Sequence, residues 1–549
     1  MGGEQQLACA CAAAVLAAAL ALCWFINAAW VSPAAARRRL RREGLDGPRP
    51  SFPLGNLAEM AAAAATTTTT TTSKTMMISS DIHAALFPYF ARWRQAFGKV
   101  FVYWLGTQPF LYVAEPEFLK AATAGGKGKL WGKPDVFRRD RMPMFGRGLV
   151  MAEGEEWARH RNIIAPAFSA TNLKAMMGLM QESTAKMLAE WDAMASSSDS
   201  SSVIVDVEKA VVRNAAEIIG RASFGLTTTT TTADDEDGDG VLVFRKLQAM
   251  QAMLFGQSNR LVGVPLARQL LHLRSTYQAW RLGREIDALL IHIIEDARRR
   301  QGQSSSSSKQ HDHDLLSLLL AAGASDDDRR RLMSTRELVD ECKTFFFGGH
   351  ETTALAVSWT LLMLAAHPEW QEALREEVLA ELREEEVLDD AAALGRLTKM
   401  GWVMNEVLRL YPPSPNVQRQ ALQDVEVVTK TKKTTMTVPR GTNMWVDVVA
   451  MHHDKALWGD DANEFRPERF ASKGQHPFNK AAHFLPFGFG SRICVGRNLT
   501  AMEYRVVLAM VLRRFRLEVP PQYRHAPRIM LSLRPSNGIH LRLTPLISH

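Results

Sequence analysis

Cysteine is scarce in this 549-residue chain, and its distribution excludes a good deal. Three of the five, Cys9, Cys11 and Cys23, fall in an apolar N-terminal stretch, which leaves Cys342 and Cys494 for everything that follows. Two cysteines make no disulfide framework, so a reducing, cytosol-facing compartment is expected for the bulk of the protein. No repeat of fixed period is visible, which excludes a solenoid or propeller. No nucleic-acid motif appears, and a net charge of +8 over this length does not argue for nucleic acid. What is present is 46% hydrophobic residues with ordinary charge, the composition of a folded protein with a sizeable core.

Two further absences remove whole chemistries. His350-Glu351 could open a zinc-protease helix, but the second histidine is needed one turn later and position 354 is Ala. The stretch GFGSRICVG could pass for a phosphate loop, but a dinucleotide fingerprint needs glycine at position 493, which is Ile, and a Walker loop needs a Gly-Lys pair that is missing.

Residues 7–31 are apolar except for Asn27, slightly longer than the ~20 residues a helix needs to cross a bilayer. A cleaved signal peptide competes for this stretch, but its apolar core would be about 7 to 15 residues behind a basic segment. Here Arg37, Arg38, Arg39, Arg41 and Arg42 come after the span, so it reads as an uncleaved anchor with the C-terminal bulk in the cytosol. GPRPSFPLGN, residues 47–56, then reads as a stiff, helix-breaking hinge. The expected organisation is an anchor over residues 1–32, a basic and Pro-rich hinge over 33–56 and one large domain over 57–549.

That domain reads as mainly α with a small β portion. Homopolymeric runs at 61–72, 196–202, 227–240 and 304–308 read as surface loops, the acidic run 234–239 among them. VFVYWL at 100–105 and FLYVA at 110–114, parted by a Gly- and Pro-containing turn, form the clearest hairpin. The longest helix starts at Ser334-x-x-Glu337, spaced as a capping box, and runs from 338 to 366 before His367-Pro368. In its middle stands FFFGGHETT. Paired glycines inside a helix each cost about 1 kcal/mol relative to alanine, and close approach of something to the backbone is the usual compensation. Cys342 on this helix reads as a small buried hydrophobe. His452-His453-Asp454 has a metal-like composition, but adjacent side chains point in different directions and structural use is expected.

In PFGFGSRICVG, residues 486–496, Cys494 sits among glycines with an arginine two positions upstream. A thiolate that ligates iron must lie against a flat cofactor and accept backbone N–H bonds, and glycines 488, 490 and 496 would let the backbone fold around the sulfur.

These residues resemble the haem-binding loop of the cytochrome P450 superfamily, F-x-x-G-x-R-x-C-x-G, at Phe487, Gly490, Arg492, Cys494 and Gly496. Three more motifs agree in the family's order. GGHETT at 348–353 is similar to its oxygen-activation motif, Glu406-x-x-Arg409 to its E-x-x-R, and Phe465-Arg466-Pro467-Glu468-Arg469-Phe470 to its F-x-P-E-R-F segment.

The resemblance implies the P450 fold behind the anchor of the membrane-bound members, and haem as cofactor. It makes Cys494 the proximal ligand to the metal, shielded by Phe487. Trp157, Arg161, Arg419 and Arg492 take propionate-contacting positions, and Gly348-Gly349 would leave room for O₂; the family more often has Ala at the first of these. Glu351 and Thr352 would move protons toward the oxygen being activated, and Glu406, Arg409 and Arg469 form a structural ion network. The same resemblance implies a monooxygenase acting on an apolar small molecule, with electrons from NADPH through a membrane-bound cytochrome P450 reductase, at the endoplasmic reticulum membrane. Residues 145–180 are similar to a plant branch with hydroxylases of cytokinins, gibberellins, brassinosteroids and fatty acids, which points to an isoprenoid-derived or lipid substrate. Some relatives instead rearrange or dehydrate hydroperoxides without O₂ or reductase. Glu351-Thr352 favours the monooxygenase over them and over a non-catalytic haem-binding protein.

Overall fold

The computed structural model describes residues 2–71, 78, 81–198, 202–226, 239–257, 263–265, 273–303, 314–321, 333–382, 391–429, 434–471 and 483–546. Within them the chain is helix-rich with small sheets, as its periodicity predicts.

The apolar N-terminus is helical over Gly2–Ile26, widens into a π turn at Asn27–Val31 and continues as a helix over Ser32–Arg42. Residues Gln5–Arg42 make a helix long and apolar enough to cross a membrane, with its most apolar window unburied. Helix continues through Pro33 because the proline falls in the first turn of the new segment, where no N–H is needed.

The segment read as a hinge is packed onto the domain. Leu40 and Leu45 are buried in the main core, and the Val102 N–H donates to the Asp46 carbonyl at 2.9 Å. A Cβ at Gly47 would lie 2.1 Å from the Val102 carbonyl oxygen, so glycine is required there. Asn56 accepts from Trp104 N–H at 2.9 Å and donates its own backbone N–H to the Trp104 carbonyl at 2.8 Å.

The alanine-threonine run is also corrected, being helix over Leu57–Thr71 instead of loop. Alanine is the strongest helix former, and this helix is held by packing of Leu57 and Met60 on the core and by Trp93 donating to Glu59 at 3.0 Å. Residues 199–201, 227–238 and 304–308 of the other runs lie outside the described residues; Asp239 opens the helix Asp239–Gln257.

The hairpin forms as expected, Val100–Leu105 against Gln108–Val113, with Gly106 at φ +60° in the turn. Asn443–Asp447 adds parallel to Gln108–Val113, followed by Asn416–Ala421 and Trp131–Gly132, to make a five-stranded sheet. Two strands near the C-terminus, Pro527–Ile529 and Leu533–Pro535, pair as a separate hairpin.

The central helix spans Thr335–Ala366, about 48 Å long at 1.5 Å per residue. Its capping box is present, with Ser334 N–H donating to Glu337 Oε2 at 2.8 Å and Glu337 N–H to Ser334 Oγ at 3.3 Å. Around its N-terminal half lies a second apolar cluster that contains Phe145, Phe224, Leu290, Phe345 and Cys342, the last buried as expected.

Candidate active site around Cys494

The loop that carries Cys494 is shaped by two glycines. Gly488 and Gly490 sit at φ +78° and +67°, where a side chain would be strained, while Gly496 has an ordinary backbone. The loop closes on itself through Cys494 N–H to the Phe487 carbonyl at 2.9 Å and Ile493 N–H to the Gly490 carbonyl at 3.2 Å. The helix Arg497–Arg514 begins at once, and the backbone N–H groups of Gly496 and Arg497 are directed at the sulfur.

Cys494 is exposed, yet burial is the largest influence on its thiol and pushes its pKa up, against the lowering effects of the Gly496 N–H, Arg161 and Arg497. A side chain that faces an internal cleft meets both conditions. The central helix supplies the opposite wall. Phe345 on that helix packs against Phe168, whose ring edge would lie 3.8 Å from a Cβ at Gly496, and Thr353 Oγ1 lies 3.1 Å from Thr500 Oγ1. Between those two contacts the helix opens: Gly348 is exposed, nothing stands within 4 Å of a Cβ built on it, and Thr352 is half-buried.

The two glycines of the pair therefore differ. A Cβ at Gly349 would come within 2.4 Å of Ile219 Cδ1 on the helix Val207–Phe224, so the missing side chain there serves helix packing. Thr352 Oγ1 donates to the Gly348 carbonyl at 2.9 Å, which leaves its oxygen free to accept. Glu351 is held in a buried clamp. Its Oε1 takes Gln251 Nε2 at 3.0 Å and the Ser532 hydroxyl, with Arg534 Nε at 3.9 Å. Its Oε2 is buried and has no hydrogen-bond partner among the described residues.

Beside the loop lies a cluster of cations. Trp157 and Arg161 stand one turn apart on the helix Gly154–Ile164, which is tied to the central helix by His160 Nδ1 at 2.6 Å from Glu341 Oε1. Arg161 donates to the Ile493 carbonyl at 2.9 Å. Arg492 lies over the Trp157 ring at 4.8 Å and pairs with Glu153 at 2.8 Å, and Arg419 lies over Phe489 at 5.4 Å. Burial pushes Arg419 down to about 10, with Arg492 adding repulsion. Lys133 is held well below its usual range by burial, then by Arg419, Arg492 and Arg141, with Glu153 opposing.

Such a concentration of positive charge around one carboxylate calls for further anions. The residues present thus fit a flat ring with two carboxylates, lying between the sulfur and the open stretch of the central helix. Lys133, Arg141 and Glu153 belong to this cluster but carry no sequence motif; only their fold neighbours reveal them.

Sequence comparison agrees with this geometry, since the family model for Cytochrome P450 matches residues 61–542. The chain is a cytochrome P450. Its relatives include "Cytochrome P450 714C3" of Oryza sativa subsp. japonica, 34% identical over 97% of this chain and 98% of the relative. A "Cytokinin hydroxylase" of Arabidopsis thaliana is 34% identical over 95% of each chain, and "Cytochrome P450 709B1" of the same plant 32% over 93% of each. This P450 is accordingly a monooxygenase of a plant type whose family cofactor is haem, and its N-terminal apolar helix fits a single-pass anchor.

The remaining sequence expectations fall outside the reaction. His350 is turned into the core, its Nδ1 against the Phe346 carbonyl and its ring against Phe244. His452 Nδ1 meets the Arg409 carbonyl and its Nε2 accepts from Leu485 N–H; His453 meets Leu410 and Asn463; Asp454 pairs with Arg94 and Lys99. Arg409 is bidentate on Glu406 at 2.7 Å to each oxygen, and Arg469 reaches the same carboxylate at 3.3 Å. These are structural roles.

Proposed function

We propose that this P450 hydroxylates an isoprenoid-derived, hormone-like or lipid molecule, using O₂ and NADPH-derived electrons that arrive through a membrane-bound cytochrome P450 reductase. The observation that carries the reading is the open stretch of the central helix at Gly348 and Thr352, backed by a buried Glu351 and facing the Cys494 loop. The "Cytokinin hydroxylase" relatives support the substrate class. In this reading residues 1–32 anchor the chain in the endoplasmic reticulum, residues 33–56 seat the catalytic portion 57–549 on that anchor, and the catalytic portion faces the cytosol, as Arg37 to Arg42 favour.

Haem, when bound, supplies the activation of O₂ and the oxidation of carbon. Cys494 would hold its iron, with the N–H groups of Gly496 and Arg497 moderating the thiolate and Phe487 covering the loop side. Arg161, Arg419 and Arg492 would take its carboxylates, joined by Lys133 and Arg141, with Trp157 orienting Arg492. Gly348 leaves space for a small molecule against the helix. Thr352 positions a proton donor at its hydroxyl oxygen, and Glu351 would pass protons toward it through Oε2, the oxygen its clamp leaves free.

The test combines a reduced carbon monoxide difference spectrum with turnover. The thiolate-haem band is expected in wild type and its loss in Cys494→Ala; a band retained by that variant refutes the ligand assignment. With reductase and NADPH, Thr352→Ala is expected to form less product per NADPH and more peroxide. Unchanged coupling would sink the relay, and product formed from a hydroperoxide without NADPH would favour the rearranging relatives.

A further inference from the structure

Four oxidisable or basic side chains form an unbroken path from the central helix to the surface. Trp359 lies seven residues beyond Thr352, two turns along the same face, or about 10 Å along the axis. Its ring is fully buried and stacked on Tyr411 with centroids 4.5 Å apart and planes 15° apart. Tyr411, also buried, has its oxygen 3.1 Å from His525 Nε2. On the far side of the same imidazole, Nδ1 lies 3.2 Å from the hydroxyl of Tyr523, which is half-buried beside exposed Arg524.

The hydrogen-bond inventory sets the direction of the path. Tyr411 has one hydroxyl hydrogen, and it goes to the Ile78 carbonyl. His525 Nε2 must therefore carry the hydrogen that Tyr411 accepts, which leaves Nδ1 bare to accept from Tyr523. Of these two tyrosines, Tyr523 is the one whose phenol is aimed at the bare imidazole nitrogen. Burial of His525 pushes its pKa down to about 4, so it stands neutral and ready to accept.

We propose that Trp359, Tyr411, His525 and Tyr523 carry an oxidising equivalent away from the haem site and bring it to rest on Tyr523 near the surface. This rests on the haem reading at Cys494. The oxidant is that formed at haem from a hydroperoxide or peracid, or in turnover with no substrate to oxidise. It takes one electron from Trp359; Tyr411 refills Trp359, and Tyr523 refills Tyr411. The phenolic proton of Tyr523 moves to Nδ1 of His525, so the products are one electron delivered to the oxidant, one neutral phenoxyl radical and one imidazolium. A small thiol or ascorbate at the surface returns an electron, and the proton goes back from His525. The path would protect the Cys494 loop from oxidants that find no substrate.

The experiment mixes the full-length, haem-loaded protein with peracetic acid in the absence of substrate, freezes the mixture and reads the electron paramagnetic resonance spectrum. Each variant is first checked for the carbon monoxide band; a missing band in wild type fails the haem reading and not the path. With the band present, a tyrosyl signal is expected in wild type, retained in the Tyr103→Phe control, lost in Tyr523→Phe and slower to appear in Trp359→Phe. A signal of wild-type size in Tyr523→Phe, no signal in wild type, or its loss in Tyr103→Phe would each overturn the inference.

Discussion

Arg409 donates from Nη1 to the carbonyl oxygen of His452 at 2.8 Å. His452 passes this support on, because its Nε2 accepts from the N–H of Leu485, immediately before the cysteine loop. The buried Glu406–Arg409 pair thereby braces the strand of chain that leads into Phe487 and Cys494. Replacing Arg409 by Leu leaves Glu406 with Arg469, at 3.3 Å, as its one remaining cation among the described residues and should destabilise the protein by about 3–5 kcal/mol. Breaking the exposed Arg39–Asp424 pair should cost no more than about 1 kcal/mol. Chemical unfolding of both variants, with haem content measured alongside, checks the contrast.

The glycine pair on the central helix should separate under mutation. Gly349→Ala drives a methyl into Ile219 and should cost about 1–3 kcal/mol, recovered in part by Ile219→Ala. Gly348→Ala meets open space and should raise stability by up to about 1 kcal/mol through helix propensity. Thermal unfolding of the two single variants and the Gly349→Ala/Ile219→Ala double variant decides it.

Glu503 is buried on the helix that follows the cysteine loop, and burial pushes its carboxyl up to about 8. Its folded value lies above its unfolded one, so its contribution to stability is full at acid pH, falls as pH rises past about 4.3 and is gone above about 8. The loss is on the order of a few kcal/mol. Glu503→Gln, which keeps the neutral shape, should show a flatter decline of the urea midpoint across that window; parallel declines would exclude Glu503 as the source.

Lys133 should show effects of opposite sign in two states. Lys133→Met removes repulsion from Arg419, Arg492 and Arg141, so the haem-free protein should unfold at higher urea. The same change removes a cation beside the ring carboxylates, and haem should be lost faster to a scavenging apoprotein. Equal shifts in both measurements would place Lys133 outside the cofactor site.

Legibility followed the range of the interaction. The capping box at Ser334 and Glu337, the hairpin at Val100–Leu105 and the left-handed turns at Gly488 and Gly490 each depend on neighbours a few residues away, so local residue types announced them. Cys494 and Arg492 stood out through spacing within their own loop, and Trp157 and Arg161 through the family resemblance; the structure gathers all four around that loop. Lys133, Arg141 and Glu153 did not stand out, because a charge cluster assembled from three distant segments has no signature in any one of them. The alanine-threonine run misled for a related reason: low complexity removes a core-facing pattern, yet Ala61 to Ala65 still extend a helix that Leu57, Met60 and Glu59 pin to the domain.

What the sequence determined by itself was the chemistry: a cysteine able to ligate iron, an acid and a threonine one residue apart on a helix, and an apolar N-terminal span followed by arginines. Only the tertiary structure decided which of those groups share a cleft. Gly348 faces open space while Gly349 packs on Ile219, and Glu351 keeps one oxygen without a partner among the described residues while Gln251 and Ser532 hold the other. Residue type sets what a side chain can donate, accept or ligate, whereas orientation depends on neighbours that chain order leaves hundreds of residues apart.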